Sequence, residues 1–228
     1  MFSIRLNASA IFSSATKAQS LHQAYRSFSS TSAIMSTIQD AIVKDHRELE
    51  QYYKEVVNSN DHDHQQRFGN QFTWELARHS VGEELVVYPA FEKYIGNRGK
   101  AMADNDRQEH HQVKELLKQF QNMKAEQPEF VPKIKEIWGL LSEHIKEEEE
   151  KDMPALAAAL QDHKDESEKL ARSFGRTKAF VPSRSHPSAG ENPPFETVMG
   201  LLTAPFDHVA DIFRKFPDKT VSPNPSTK

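Results

Sequence analysis

The sequence HSVGEELVVYPA at residues 79–90 decides the fold, and a related sequence, HIKEEEEKDMPA, occupies residues 144–155. In both, a His is followed four residues later by a Glu and ten residues later by a Pro. Because an α-helix has 3.6 residues per turn, a His and a Glu four positions apart lie on one face of it. One helix can offer two ligands to a metal ion in this way. Two such helices facing each other would hold a metal pair.

The composition indicates a helix-rich protein in which nitrogen and oxygen atoms hold any metal. The 228 residues, 27% of them charged and 37% hydrophobic, suit one domain of about 130–150 residues with extensions. No apolar run approaches the ~18 residues of a membrane span, so no transmembrane segment is predicted. The absence of Cys excludes disulfides, thiolate nucleophiles and cysteine zinc sites, and favours iron or manganese. A net charge of −4 without a basic stripe argues against nucleic acid as a partner.

The N-terminal stretch has the composition of a targeting segment. Residues 1–39 contain no Asp or Glu, and their few Arg and Lys residues stand among many Ser and Ala. We therefore predict a mitochondrial transit peptide over residues 1–35 and a matrix localisation, with processing near Ser36. The alternative is a disordered, Ser-rich leader that carries no targeting signal. Translation from Met35 would give a cytosolic form of the same domain.

Hydrophobic periodicity predicts four helices of about 20 residues, separated by Gly- and Pro-containing turns. They cover residues 38–57, 65–94, 101–125 and 130–151. Long helices joined by short loops predict an all-α protein with an up-down-up-down four-helix bundle. A fifth helix is predicted after Pro154, with Gly175 as its cap, so the bundle domain is placed at residues 38–175.

Each of the four helices carries a His on its apolar stripe, and two carry a Glu one turn further on. The inward set is His46, His79, Glu83, His110, His144 and Glu148. A lone His on such a stripe is more often a hydrogen-bonded core residue. Buried carboxylates, however, need a cation, and no inward Lys or Arg is found on these stripes. We therefore predict a metal pair with Glu83 and Glu148 as bridges. Asp106, on the same stripe, and Glu50, at its border, stay open as further ligands.

Acidic residues next to these positions receive weaker predictions. Asp45 and Glu109 either orient imidazoles or are simply exposed, and the sequence does not separate the two. Glu84 and Glu149 lie off the stripe, so a solvated face is predicted for them.

These motifs resemble the hemerythrin-like, or HHE, cation-binding domain over about residues 38–160. The resemblance rests on Asp45-His46, on residues 79–84 with Tyr88-Pro89-Ala90, on Glu109-His110, and on residues 144–149 with Pro154. It implies a four-helix bundle with two iron ions that binds oxygen, stores or senses iron, or meets nitric oxide or peroxide. The leader and the C-terminal extension look like those of fungal members.

One departure from the family bears on function. Oxygen-carrying hemerythrins have two His on the third helix four residues apart, whereas Asp106 stands four residues before His110 here. The donor set is richer in carboxylate, which disfavours a reversible oxygen carrier.

The sequence therefore predicts a non-haem di-iron-binding protein that binds oxygen or a related small molecule, or buffers or senses iron. A binding protein is favoured over an enzyme, because no second catalytic constellation and no nucleotide loop is found. The alternative is a di-iron redox enzyme that acts on peroxide or nitric oxide.

The C-terminal part differs in composition from the rest. Residues 176–228 hold eight of the 12 prolines and are predicted as an extension. Within it, residues 195–216 form a short amphipathic segment. Folding back along the bundle is the favoured interpretation, and contact with a protein groove or a membrane surface is the alternative.

Overall fold

The computed structural model describes residues 36–187 and 195–225. The transit peptide and the matrix localisation predicted from residues 1–35 lie outside this part and stay predictions. The helices of the described part are α1 (Ile38–Val57), α2 (His62–Gly82), α3 (Tyr88–Ile95), α4 (Asn97–Phe120), α5 (Phe130–Glu147), α6 (Met153–Ala159), α7 (Lys164–Lys178) and α8 (Phe195–Asp211). Within these residues there is no strand, which confirms the predicted all-α, hemerythrin-like class.

The long helices enclose two clusters of buried apolar side chains. The first includes Leu49, Phe72, Leu117 and Ile137, and the second includes Ile42, Val87, Phe91, Met153 and Leu156. Along the helices, the predicted metal-binding residues fall near the junction of these clusters. Apolar packing on both sides of each inward His, along the helix axis, therefore fixes its position in the bundle.

Local signals explain where the helices begin and end. Thr37 and Asp40 form a reciprocal capping box, which starts α1 at Ile38 as predicted. Gly96, with φ of 72°, ends α3. A Cβ at Gly99 would lie 2.0 Å from the carbonyl oxygen of Phe91, so only Gly permits the tight turn between α3 and α4.

Two of the predicted helices are not regular along their whole length. The predicted helices over residues 65–94 and 130–151 are confirmed, but each contains a π-turn that the sequence analysis did not predict, at Glu83–Val87 and at Glu148–Asp152. In each, the backbone N–H of the residue before a Pro donates to the carbonyl five residues back. The prolines, Pro89 and Pro154, lack an N–H and crowd the carbonyl four residues earlier, so the preceding turn widens. Both inward glutamates are thereby the first residues of π-turns, which occur frequently at functional sites.

The predicted fifth helix is divided in two. Helix α6 ends at Ala159, and α7 continues through Gly175 to Lys178, so the prediction that Gly175 caps it is wrong. Phe174 and Lys178, near the end of α7, are buried.

The extension folds back along the bundle. Arg184 donates to the carbonyl of Gln121 (2.8 Å), Arg67 donates to the carbonyl of Phe216 (3.0 Å), and the Phe216 ring meets Trp74 edge-on. One stripe of this region is nevertheless exposed, and it comprises Leu202, Phe206, Val209, Ile212 and Phe213. The predicted protein or membrane contact through residues 195–216 stays a prediction. Among the described helices, none is long and apolar enough to span a bilayer.

Candidate metal centre

The six predicted metal-binding residues all lie inside the bundle, and none is more than 3% exposed. Five of them form two overlapping groups, within each of which the donor nitrogen and oxygen atoms lie within 4.8 Å of one another, and Glu148 is in neither group. One group is His46, His79 and Glu83, and the other is Glu83, His110 and His144. The two histidines within each group meet edge to face, with ring centroids 5.0 and 4.8 Å apart.

Glu83 belongs to both groups because its two oxygens point in different directions. Oε1 lies 3.1 Å from Nε2 of His79, and Oε2 lies 3.4 Å from Nε2 of His110. Glu148 places Oε2 3.3 Å from Nε2 of His46. The position of Glu83 is thus the one a bridging carboxylate needs.

Nε2 of His110 lies 3.2 Å from Nε2 of His144, but seven other inward atoms have no hydrogen-bond partner within the described protein. These atoms are Nε2 of His46 and His79, both carboxylate oxygens of Glu83 and Glu148, and Oδ2 of Asp106. Leaving such groups buried and unsatisfied is costly, and more so for carboxylates. Cations satisfy nitrogen lone pairs and carboxylates together, so this donor set fits a bound metal pair.

The outward nitrogen of every imidazole is engaged. Each Nδ1 contacts a carboxylate, in the pairs His46–Glu149 (2.8 Å), His79–Asp45 (3.3 Å), His110–Glu84 (3.0 Å) and His144–Glu109 (2.8 Å). Such a pair fixes the ring orientation and leaves Nε2 for a metal. Asp45 and Glu109 therefore orient imidazoles, which resolves the alternative left open by the sequence.

The prediction of a solvated face is wrong for Glu84. Its side chain is fully buried between His110 and Lys114, whose Nζ lies 2.6 Å from Oε2. An i→i+5 turn holds one residue more than an α-turn, so consecutive residues 83 and 84 both face inward. Glu149 is only 20% exposed, between His46 and Arg47. Buried Lys114 also corrects the expectation that no Lys faces inward.

Lys178 is the residue that sequence reasoning missed. It extends from the end of α7 and donates to both Asp45 and Glu75, all three being buried. A separation of 133 residues from Asp45 left no local signal for this contact. Glu50, by contrast, pairs with Lys54 at the surface (2.7 Å) and is not brought to the centre.

The buried groups perturb one another strongly. Burial by itself lowers the pKa of His79, but the charge of Glu83 and the hydrogen bond to Asp45 raise it to about 10. Burial likewise lowers the pKa of His110, but the nearby carboxylates of Glu83 and Glu84 raise it to about 9. Burial raises the pKa of Asp45, yet His79 and Lys178 lower it to about 2. Protons on His79 and His110 thus balance part of the carboxylate charge in the metal-free protein.

The side of the centre near His110 carries two further polar groups. The Tyr88 hydroxyl lies 3.0 Å from Nε2 of His110, and Tyr88 is fully buried. Burial and the charges of Glu148 and Asp152 raise the pKa of Asp106 to about 8. Asp106 also forms a third close group of potential donors with Glu109 and His144.

Comparison with known proteins gives a consistent result. The sequence model of the hemerythrin HHE cation-binding domain matches residues 37–156. An uncharacterized hemerythrin-like protein of Schizosaccharomyces pombe is 54% identical over 183 residues, which are 80% of this chain and 89% of that protein. A DNA nickase of Nostoc is 28% identical over 149 residues, 64% of this chain but 40% of the nickase. No solved structure matches.

Proposed function

The chain belongs to the hemerythrin HHE cation-binding family, and we propose that its buried cluster binds two iron ions. The proposed ligands are His46, His79, Glu83, His110, His144 and Glu148. The observation that carries the proposal is that their inward atoms include six that are buried without hydrogen-bond partners. An all-nitrogen and oxygen donor set favours iron or manganese over structural zinc.

We propose further that the centre binds oxygen or a related small molecule, or buffers or senses iron. Bound iron would supply exchange of electrons with such a ligand. The protein residues exclude bulk water, since the six side chains are at most 3% exposed, and the four outer carboxylates hold the imidazole rings in place. Burial restricts access to molecules of a few atoms, such as O2, NO or peroxide.

A redox enzyme acting on peroxide or nitric oxide is the second candidate, and a specific observation favours it. Reduction of peroxide to two waters consumes two protons and two electrons. Tyr88 and Asp106 are buried beside the His110 half, and the phenol and the carboxyl group can each carry a proton. These two groups could hold protons for such a reaction.

The first experiment is the metal content of the full-length protein after anaerobic loading with ferrous iron. We expect about two irons per chain, as in other carboxylate-bridged bundles, and loss of iron in the double variant His79→Ala with Glu83→Ala. The matched control is His64→Ala with Glu55→Ala, which removes a His–Glu pair (2.9 Å) away from the centre.

Full iron occupancy in the His79 and Glu83 variant would contradict the proposed centre. In the same preparations, peroxide turnover that disappears with the metal would favour the enzyme, whereas reversible ligand binding without turnover would favour the binding protein.

A further inference from the structure

Helix α7 lies outside the family match, yet it covers one half of the proposed centre. Its Phe174 ring stands edge-on to the ring of His79, with centroids 5.9 Å apart and an angle of 88°. A Cβ at Gly82 would lie 2.8 Å from Cε2 of Phe174, so the absence of a side chain there permits this approach. Helix α7 is therefore packed directly against His79, one of the proposed ligands.

Lys178, at the end of α7, connects the extension to this ligand. Its ammonium donates to Oδ2 of Asp45 and Oε1 of Glu75, and the same Oδ2 accepts from Nδ1 of His79. Asp45 is 5% exposed and Glu75 is fully buried. Charges in such surroundings are weakly screened, so the position of Lys178 controls how Asp45 holds the imidazole.

The backbone at Lys178 is itself held in place. Arg78 donates from Nε to the carbonyl of Lys178 (2.6 Å), and its guanidinium lies 3.6 Å from the centre of the Trp74 ring. Trp74 in turn meets Phe216 of the extension. Lys178 and Phe216 thus both contact the segment of α2 that precedes His79.

Among the described residues, no lysine contacts the carboxylate partner of His144 in this way. Its carboxylate partner, Glu109, is 32% exposed and accepts from the amide of Asn105 (3.1 Å). Gly82 corresponds by sequence spacing to Glu147, which pairs with Lys151 at the surface (2.9 Å). The carboxylate partners of His79 and His144 therefore differ in how they are held, whereas at His110 the buried Lys114 of α4 contacts Glu84 in the way that Lys178 contacts Asp45.

We propose that α7 is a positioning element for the proposed iron centre, acting through Lys178 and Asp45 on His79. The inference rests on the proposed function. Lys178 does not contact the ligand atom. It fixes the carboxylate that orients the ring, as Lys114 of α4 does for Glu84 at His110, so its loss is expected to affect the iron at the His79 half.

The test uses the full-length chain loaded with ferrous iron and compares Lys178→Met with wild type. Replacement of such outer partners lowers metal affinity about 10–100-fold. We expect a loss of this size for one of the two irons in competition with ferrozine, and a change in the Mössbauer signal of that iron alone. Lys178→Arg should restore most of both properties.

The matched control is Lys169→Met, which removes a lysine from the exposed side of the same helix, where it pairs with Glu166. It should leave both irons unchanged. If circular dichroism shows that Lys178→Met does not fold, Lys178→Gln, which keeps a hydrogen-bond donor, takes its place.

Three distinct results would overturn the inference. Unchanged retention and spectra in a folded Lys178 variant of a protein that binds two irons would reject the positioning role and leave the proposed function intact. Equal weakening of both irons would assign Lys178 a general structural role. A wild-type chain that binds no iron would reject the proposed function, and the inference with it.

Discussion

The segments at residues 79–90 and 144–155 share one backbone design but have different surroundings. Both place a His, then a Glu at the start of a π-turn, then a Pro in the first turn of the next helix. The first segment is covered by α7, whereas the second carries Glu147 and Glu150 toward solvent. The spacing that the two segments share thus determines where the donor atoms lie. The positions at which they differ, such as Gly82 and Glu147, determine what packs against each segment.

The largest expected effect concerns the protons that His79 and His110, one in each half of the centre, bind in the metal-free protein. The folded pKa values of about 10 for His79 and about 9 for His110 exceed the unfolded value of about 6.5. The metal-free folded state therefore retains protons that the unfolded state releases. These two histidines therefore contribute stability that is fully present below about pH 6.5 and is lost as the pH rises toward 9 and 10, by about 1.4 kcal/mol per pH unit for each retained proton.

Urea unfolding of metal-free protein across this range measures that slope. The same measurement on His79→Gln and on His110→Gln shows which half of the centre contributes the slope. In iron-loaded protein the metal competes with the same protons, so the dependence should reverse. A flat profile in the metal-free protein would mean that the imidazoles are neutral and that another cation balances the carboxylates.

A smaller effect is expected where the enclosing contacts differ. In Gly82→Ala the new Cβ would lie 2.8 Å from Phe174 and 3.3 Å from Cγ of Lys178. Overpacking of this kind costs about 1–3 kcal/mol, part of which the better helix propensity of Ala offsets. We expect a net loss of about 1–2 kcal/mol in urea unfolding.

The corresponding change in the second segment is Glu147→Ala, which should stay within about 0.5 kcal/mol of wild type because the side chain is at the surface. Equal effects of the two alanines would remove the difference in enclosure on which the comparison depends.

The smallest expected effect concerns the residue before each Pro, which is Tyr88 in one segment and Met153 in the other. Tyr88→Phe removes the hydroxyl beside His110 and should cost about 0.5–1.5 kcal/mol, the net worth of one buried hydrogen bond. Met153→Leu keeps an apolar side chain of similar volume and is the control. A Tyr88→Phe variant as stable as wild type would show that its hydroxyl makes no net contribution.

Much of the core and of the centre could be predicted because its signals are local. The apolar stripe brought His46 and His110 into line with the two His-x-x-x-Glu pairs, and period 3.6 gave the inward face. The same period misplaced Glu84, because the count fails once a π-turn adds a residue. Pro89 was the visible cause, although nothing in the periodicity shows how a helix adapts to a Pro.

The role of Lys178 could not be predicted from the sequence, for a different reason. Local patterns describe which face a residue occupies, but the partner of a buried charge is chosen by how distant segments pack. The amphipathic pattern of residues 164–178 indicates a helix and does not identify the surface it covers. Its contact with Asp45 depends on the small size of Gly82, on another helix.

The part of the chain that the family model matches is shorter than the part that folds together, because α7 lies beyond residue 156. The family match ends at residue 156, so a fragment cut there would keep the six proposed ligands but lose Phe174 and Lys178. Asp45 and Glu75 would then share a buried site without the ammonium that both contact. Boundaries drawn from the alignment would give a protein with every donor in its sequence and one wall of the site missing.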